Sequence, residues 1–195
     1  MTELKTQLWN DMGIIPPIDE SEPTSINRSP YQMNIVQFVS TFAFSQPRRN
    51  ILRGFLNFRK ALADVGLIDG FQWVDGSFTE NVEMNLKRPP NDVDVVTFFN
   101  LQLGDTDEIV MARNQLIFDQ SFVKQTFFVD SYFESLQESG AYLVSKTVYW
   151  YSMWAHKRDL SWKGFVQIPL SPQLDAFALT ILDTAEAEEA NHESF

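Results

Sequence analysis

One stretch limits what this chain can become more than any other: DVDVVTFF, residues 92–99. Its Val, Thr and Phe residues suit a pleated, buried strand, whereas aspartate is depleted from such strands. Residues two apart in a strand share a face. Asp92 and Asp94 therefore point the same way, with Cα atoms roughly 6.5 Å apart. Val93 and Val95 point the other way. Any fold that accepts this sequence must put two carboxylates on one face at the start of an interior strand. Buried without a partner they would repel each other and lose hydration, so something positive is needed beside them.

The flanking sequence supplies a sheet and its cover. FQWVD at 71–75 reads as a second strand, KQTFFVDSYFES at 124–135 as a third, and KGFVQIPL at 163–170 as a short fourth ended by Pro169. After residue 45 the pattern turns helical. Ser45 can cap, Pro47 suits a first turn, and Ile51, Leu52, Phe55, Phe58, Leu62 and Val65 recur at helical spacing until Gly66. Further helices are expected at 33–45, from about 106, over AYLVSKTVYWYSMWAHKRD at 141–159 and over SPQLDAFALTILDTAEAEEA at 171–190. Trp150 and Trp154 fall on one helical face, which predicts that they pack inward. The neighbouring Tyr149 and Tyr151 also read as core, with base stacking by one of the four as the alternative. Interleaved strands and helices over 45–185 predict an α+β (α/β-like) fold, a small mixed sheet covered by helices.

The ends read differently. Pro16, Pro17, Pro23 and Pro30 remove amide donors and restrict their predecessors, so 1–34 is expected as an extended arm that packs on the body through Ile14, Ile15 and Ile18. Residues 35–183 form the expected domain. The acid-rich 184–195 is expected as a flexible tail.

Composition narrows the chemistry. The chain has no cysteine, which excludes disulfides, thiolate metal sites and a Cys nucleophile, and only two histidines, His156 and His192. Zinc finds few ligands here. A net charge of −11 rules out gripping nucleic acid through a broad basic face. No apolar run reaches the roughly 18 residues of a membrane span, and MTELKTQLWND lacks the layout of a signal peptide. A cytoplasmic protein is expected.

Within those bounds the aspartates point to hard cations. Asp92 and Asp94 can converge on a metal pair, and Asp130, in an apolar strand of its own, adds a third carboxylate if the two strands are neighbours. Mg²⁺ takes oxygen ligands and shares them with phosphates. Gly76-Ser77 follows the 71–75 strand, where glycine permits a tight turn and the free amides after it face an anion.

A Gly-Ser pair after a strand, then Asp92-Val93-Asp94 on the next strand and Asp130 on a later one, resembles the nucleotidyltransferase superfamily with its DNA polymerase beta-like fold. GIIPP, FSQPRRNILRGF, DGSFTENVEMNLKRPPNDVDVV, FFVDSYF and HKRDLSWKGFVQIPL are also similar to a group of small bacterial nucleotidyltransferase-like proteins. The resemblance implies transfer of a nucleoside monophosphate from an NTP, ATP being the expected donor, with pyrophosphate leaving. Asp92 and Asp94 would hold both metals, Mg²⁺ or Mn²⁺, and Asp130 the one that activates the acceptor. Gly76 and Ser77 would cradle the β- and γ-phosphates. The gap between Gly-Ser and the aspartates is long for the family, which leaves the shape of that loop open. The expected acceptor is a protein or RNA, such as the product of a neighbouring gene, in a toxin–antitoxin or phage-defence setting.

Other readings stand beside these. Two aspartates after PPN also suit turn chemistry, Asp130 also suits an exposed strand position, and Asp75 reads as a cap before Gly76. Arg158 and Lys163 read equally as a solvated basic turn or as cations that reach the triphosphate and stabilise the leaving pyrophosphate. Lys87 and Arg88 share that ambiguity. The competing function is a non-catalytic, nucleotide-binding regulatory or antitoxin-like partner that keeps the fold without turnover.

Overall fold

The computed structural model describes residues 8–192. Its centre is a five-stranded mixed sheet: β1 (Tyr31–Gln32), β2 (Asp69–Asp75), β3 (Val93–Asn100), β4 (Val129–Ser135) and β5 (Val166–Pro169), in the order β1-β5-β2-β3-β4. β2 runs antiparallel to both β3 and β5, and β4 runs parallel to β3. Seven α-helices accompany the sheet among the described residues: α1 (Ile35–Phe42), α2 (Gln46–Asp64), α3 (Val82–Leu86), α4 (Asp107–Arg113), α5 (Gln120–Phe127), α6 (Gly140–Trp154) and α7 (Asp175–His192). The fold is α+β. None of these helices is long and apolar enough to cross a membrane.

Strand alternation sorts the two faces. Val74, Val93, Val95, Phe99, Val129, Val166 and Ile168 point to one side, into a core completed by α1, α2, α5 and α7. Phe38, Phe42, Phe55 and Phe58 fill its middle, all fully buried. Gln72 and Thr97 interrupt that apolar face and are satisfied: Gln72 donates to the Thr97 hydroxyl at 3.0 Å and accepts from Arg59 at 2.6 Å. Arg59 in turn grips both oxygens of Asp175 at 2.9 Å, pinning the start of α7 to α2. Trp73, Val96, Phe98 and Phe165 point to the other side, against Trp150 and Trp154 of α6. The inward packing expected of these two tryptophans is what is seen; Tyr149 instead lies exposed.

Two expectations give way. KQTFFVDSYFES is not one strand: Asp119 caps the backbone amide of Phe122, α5 runs to Phe127, and Phe128 at φ 58° turns the chain into β4. Aromatic residues that suit a strand are here helical because Phe122 and Phe127 pack with the main core. Residues 193–195 lie outside the described residues, while residues 184–190, read both as the end of a helix and as the start of a flexible tail over 184–195, continue α7, which runs to His192. Their acids have partners on α2, since Glu186 pairs with Arg53 at 2.9 Å and Glu189 with Arg49.

The N-terminal arm lies on the body, with Ile14 and Ile15 buried. The Trp9 indole donates to the Thr79 carbonyl at 2.7 Å, the Asn81 amide donates to the Gly13 carbonyl at 2.8 Å, and the Gly164 amide donates to the Ile15 carbonyl at 2.6 Å. The arm thereby ties the turn after β2 to the loop before β5.

Candidate active site

The strand register assembles the site. Asp75 is the cross-strand partner of Asp94, and Asp94 is level with Asp130 on β4. Partners in register share a face, so Asp75, Asp94 and Asp130 form a row across three adjacent strands. Asp92, two residues before Asp94, joins on the same face. The row stands at one end of the α6 side of the sheet, while the aromatic residues of β2 and β3 on that face pack under the helix.

Gly76 makes the row possible. It adopts φ 83°, open to glycine at little cost, and a Cβ there would overlap the Asp94 carboxylate. The backbone of the turn thus lies directly on that carboxylate. Ser77 follows, half-buried, in a turn and not at a helix start; the next helix, α3, begins only at Val82. This turn is held from behind by Arg48 of α2. Fully buried, Arg48 donates to the carbonyls of Phe78 and Glu80, both at 2.6 Å, and to the Glu83 carboxylate at 2.7 and 2.8 Å.

Two lysines neutralise the row. Lys163 places its ammonium 3.0 Å from both Asp75 and Glu80 and 3.3 Å from the Gly76 carbonyl. An ammonium has three donors, so in this arrangement Lys163 holds the turn and offers no free cation. Lys124 of α5 sits 2.9 Å from Asp92 and 2.8 Å from Asp130. Gln120, one turn earlier, donates to the other Asp130 oxygen at 2.6 Å. Arg158 is exposed in the turn between α6 and β5, and Lys87 and Arg88 are exposed in the loop before β3.

The electrostatics follow from this crowding. Burial, then the charges of Asp75, Asp92 and Asp130, push the Asp94 carboxyl up to about 7, with Lys163 opposing. Burial raises Asp75 as well, although Lys163, the Gly76 amide and the Thr79 hydroxyl pull the other way. Burial would lower the Lys163 ammonium, but Asp75 and Glu80 outweigh it and the group lies above its ordinary value. Its hydrogen bonds to Asp130 and Asp92 raise the Lys124 ammonium likewise.

Sequence reasoning brought Asp92, Asp94, Asp130, Gly76 and Ser77 to one region, and the structure places them there. Asp75, read as a cap, is instead a buried member of the row. Its signal was parity: Phe71, Trp73 and Asp75 alternate onto one face, and a carboxylate there is costly unless it is paired. Lys124, Glu80 and Arg48 carried no signal of their own. Among the described residues no three Asp, Glu or His side chains are already gathered as a metal cage.

The sequence profile of the Family of unknown function (DUF6932) matches residues 8–169. The chain belongs to this family. The match to DUF6932 takes in the arm, the aspartate row and both lysines, and ends at Pro169, before α7. No curated protein and no solved structure matches the chain.

Proposed function

We propose that this chain is a metal-dependent nucleotidyltransferase with a DNA polymerase beta-like fold, moving a nucleoside monophosphate from an NTP, ATP foremost, to a protein or RNA acceptor. The observation that carries the reading is the in-register row of Asp75, Asp94 and Asp130, with the Gly76 backbone laid against Asp94. A scaffold gains nothing from a self-repelling row of acids, one of them raised to about 7. The donor set fits a hard cation: every candidate ligand is a carboxylate oxygen. Asp92, Asp94 and Asp130 would hold Mg²⁺ or Mn²⁺, which supplies charge against the triphosphate and polarises the phosphoryl oxygen. The turn after Gly76, clamped by Arg48 through the Phe78 and Glu80 carbonyls, would be the place for the phosphates. Asp75 ties the end of β2 to Lys163.

A second reading has an observation of its own. Lys124 and Lys163 already pair with Asp92, Asp130 and Asp75, as expected of a nucleotide-binding partner, regulatory or antitoxin-like, that does no chemistry. One experiment separates the two. Each labelled NTP is incubated with Mg²⁺ or Mn²⁺, the chain, and either the neighbouring gene's product or bulk RNA. Label transfer that disappears in Asp94→Asn supports the transferase. A rise in melting temperature with Mg²⁺ and NTP, without transfer to any acceptor, supports the binder. With neither result, both readings fall.

A further inference from the structure

We propose that Lys124 is a resident counter-ion, seated between Asp92 and Asp130 where a divalent cation would bind, and that it must swing out before the metal can enter. The inference rests on the metal-dependent reading above and adds how that site is loaded. The ammonium lies 2.9 Å from an Asp92 oxygen and 2.8 Å from an Asp130 oxygen, so it and a metal ion would compete for the same atoms. Like charges cannot share that space, and binding becomes an exchange. Gln120 is neutral, and its hydrogen bond to the other Asp130 oxygen can persist when the lysine leaves.

Lys124 is built to leave. Its side chain is 47 % exposed, against 5 % for Lys163. A flexible four-carbon stem rooted on the surface of α5 lets the ammonium move into water with little loss, because an exposed ion pair contributes little. Lys163 has no such route. The two acids that Lys124 holds are also the more accessible ones, with side chains 22 % and 18 % exposed. The metal therefore binds weakly by itself. It binds better together with a triphosphate, whose oxygens add ligands and whose charge receives the displaced ammonium.

The test titrates Mn²⁺, without nucleotide, into the full chain and reads free Mn²⁺ by electron paramagnetic resonance. Lys124→Met should bind on the order of fivefold more tightly than the unaltered chain, because two exposed ion pairs no longer compete. Lys124→Gln, carried alongside, guards against a packing defect in the Met variant. Lys124→Arg, which keeps the charge, should stay near the unaltered affinity, and Asp94→Asn should lose binding. If the chain binds Mn²⁺ through Asp94 but Lys124→Met and Lys124→Gln bind equally or more weakly, the counter-ion role is overturned and the metal site stands. Absence of saturable Mn²⁺ binding in every variant overturns both.

Discussion

Lys163 and Lys124 neutralise opposite ends of one aspartate row, yet they do so in different solvents. Lys163 is sealed between Asp75 and Glu80, with the Gly76 carbonyl beside it. Lys124 reaches Asp92 and Asp130 from a half-exposed helix. The bonds have similar lengths, near 3 Å. What differs is the alternative open to each charge when its partner is lost. A buried charge left alone has no water to turn to and costs about 3–5 kcal/mol, whereas an exposed one loses about 0–1 kcal/mol. Distance alone does not separate a fixed ion pair from a movable one; burial does.

The largest effect should come from the sealed end. Lys163→Met leaves Asp75 buried without a cation, while Glu80 keeps only Lys157 at 3.8 Å, and should lower unfolding free energy by about 3–5 kcal/mol in urea titration. Adding Asp75→Asn should recover part of it. A loss below about 1 kcal/mol would mean that the two ends are alike after all.

Next in size is the middle of the row, through pH. Asp94 titrates near 7 in the folded chain and near 3.9 when unfolded. Between those values the folded state binds more protons, so stability falls as pH rises through that window. Asp94→Asn should flatten the fall, with the two proteins alike near pH 4 and the variant more stable by on the order of 2–4 kcal/mol at pH 8 without metal. A variant that melts lower than the unaltered chain at pH 8 would make Asp94 a structural partner.

Gly76→Ala should cost about 2 kcal/mol, from an alanine held at positive φ and from its overlap with Asp94. Asp94→Ala in the same chain removes the overlap and should leave only the backbone part, about 1 kcal/mol. Equal losses in both backgrounds would show that the turn does not lean on the carboxylate. The smallest effect belongs to the open end: Lys124→Met should change stability by no more than about 1 kcal/mol. A loss matching that of Lys163→Met would erase the contrast.

Legibility followed the same division between local and distant causes. α2 could be read because Ser45, Pro47 and its apolar spacing all lie within the helix they specify. β3 could be read from its own Val and Phe residues. Residues 124–127 could not, since KQTFF suits a strand by composition, and its first four residues become helical through packing with distant parts of the core. The acids of 184–192 look like a tail until Arg49 and Arg53 come beside them from α2. In the site, Asp92, Asp94 and Asp130 were visible as carboxylates in apolar strands. Asp75 was hidden because alternation says which residues share a face but not which neighbour they meet. Lys124 was hidden twice, on a helix read as strand and opposite acids that only the sheet brings near.

The arm that spans the site also sets when the site can exist. Ile15 receives its hydrogen bond from Gly164, about 150 residues later, and Lys163, the fixed cation, comes just before that partner. During synthesis at roughly 5–20 residues per second, Asp75 emerges about 4–18 seconds before Lys163, which neutralises it. Until then the turn after β2 lacks both its buried cation and the contact that closes the arm over it. The phosphate binding proposed for that turn would therefore need the finished chain, and a ribosome-bound fragment ending before residue 163, which lacks β5, should bind no nucleotide.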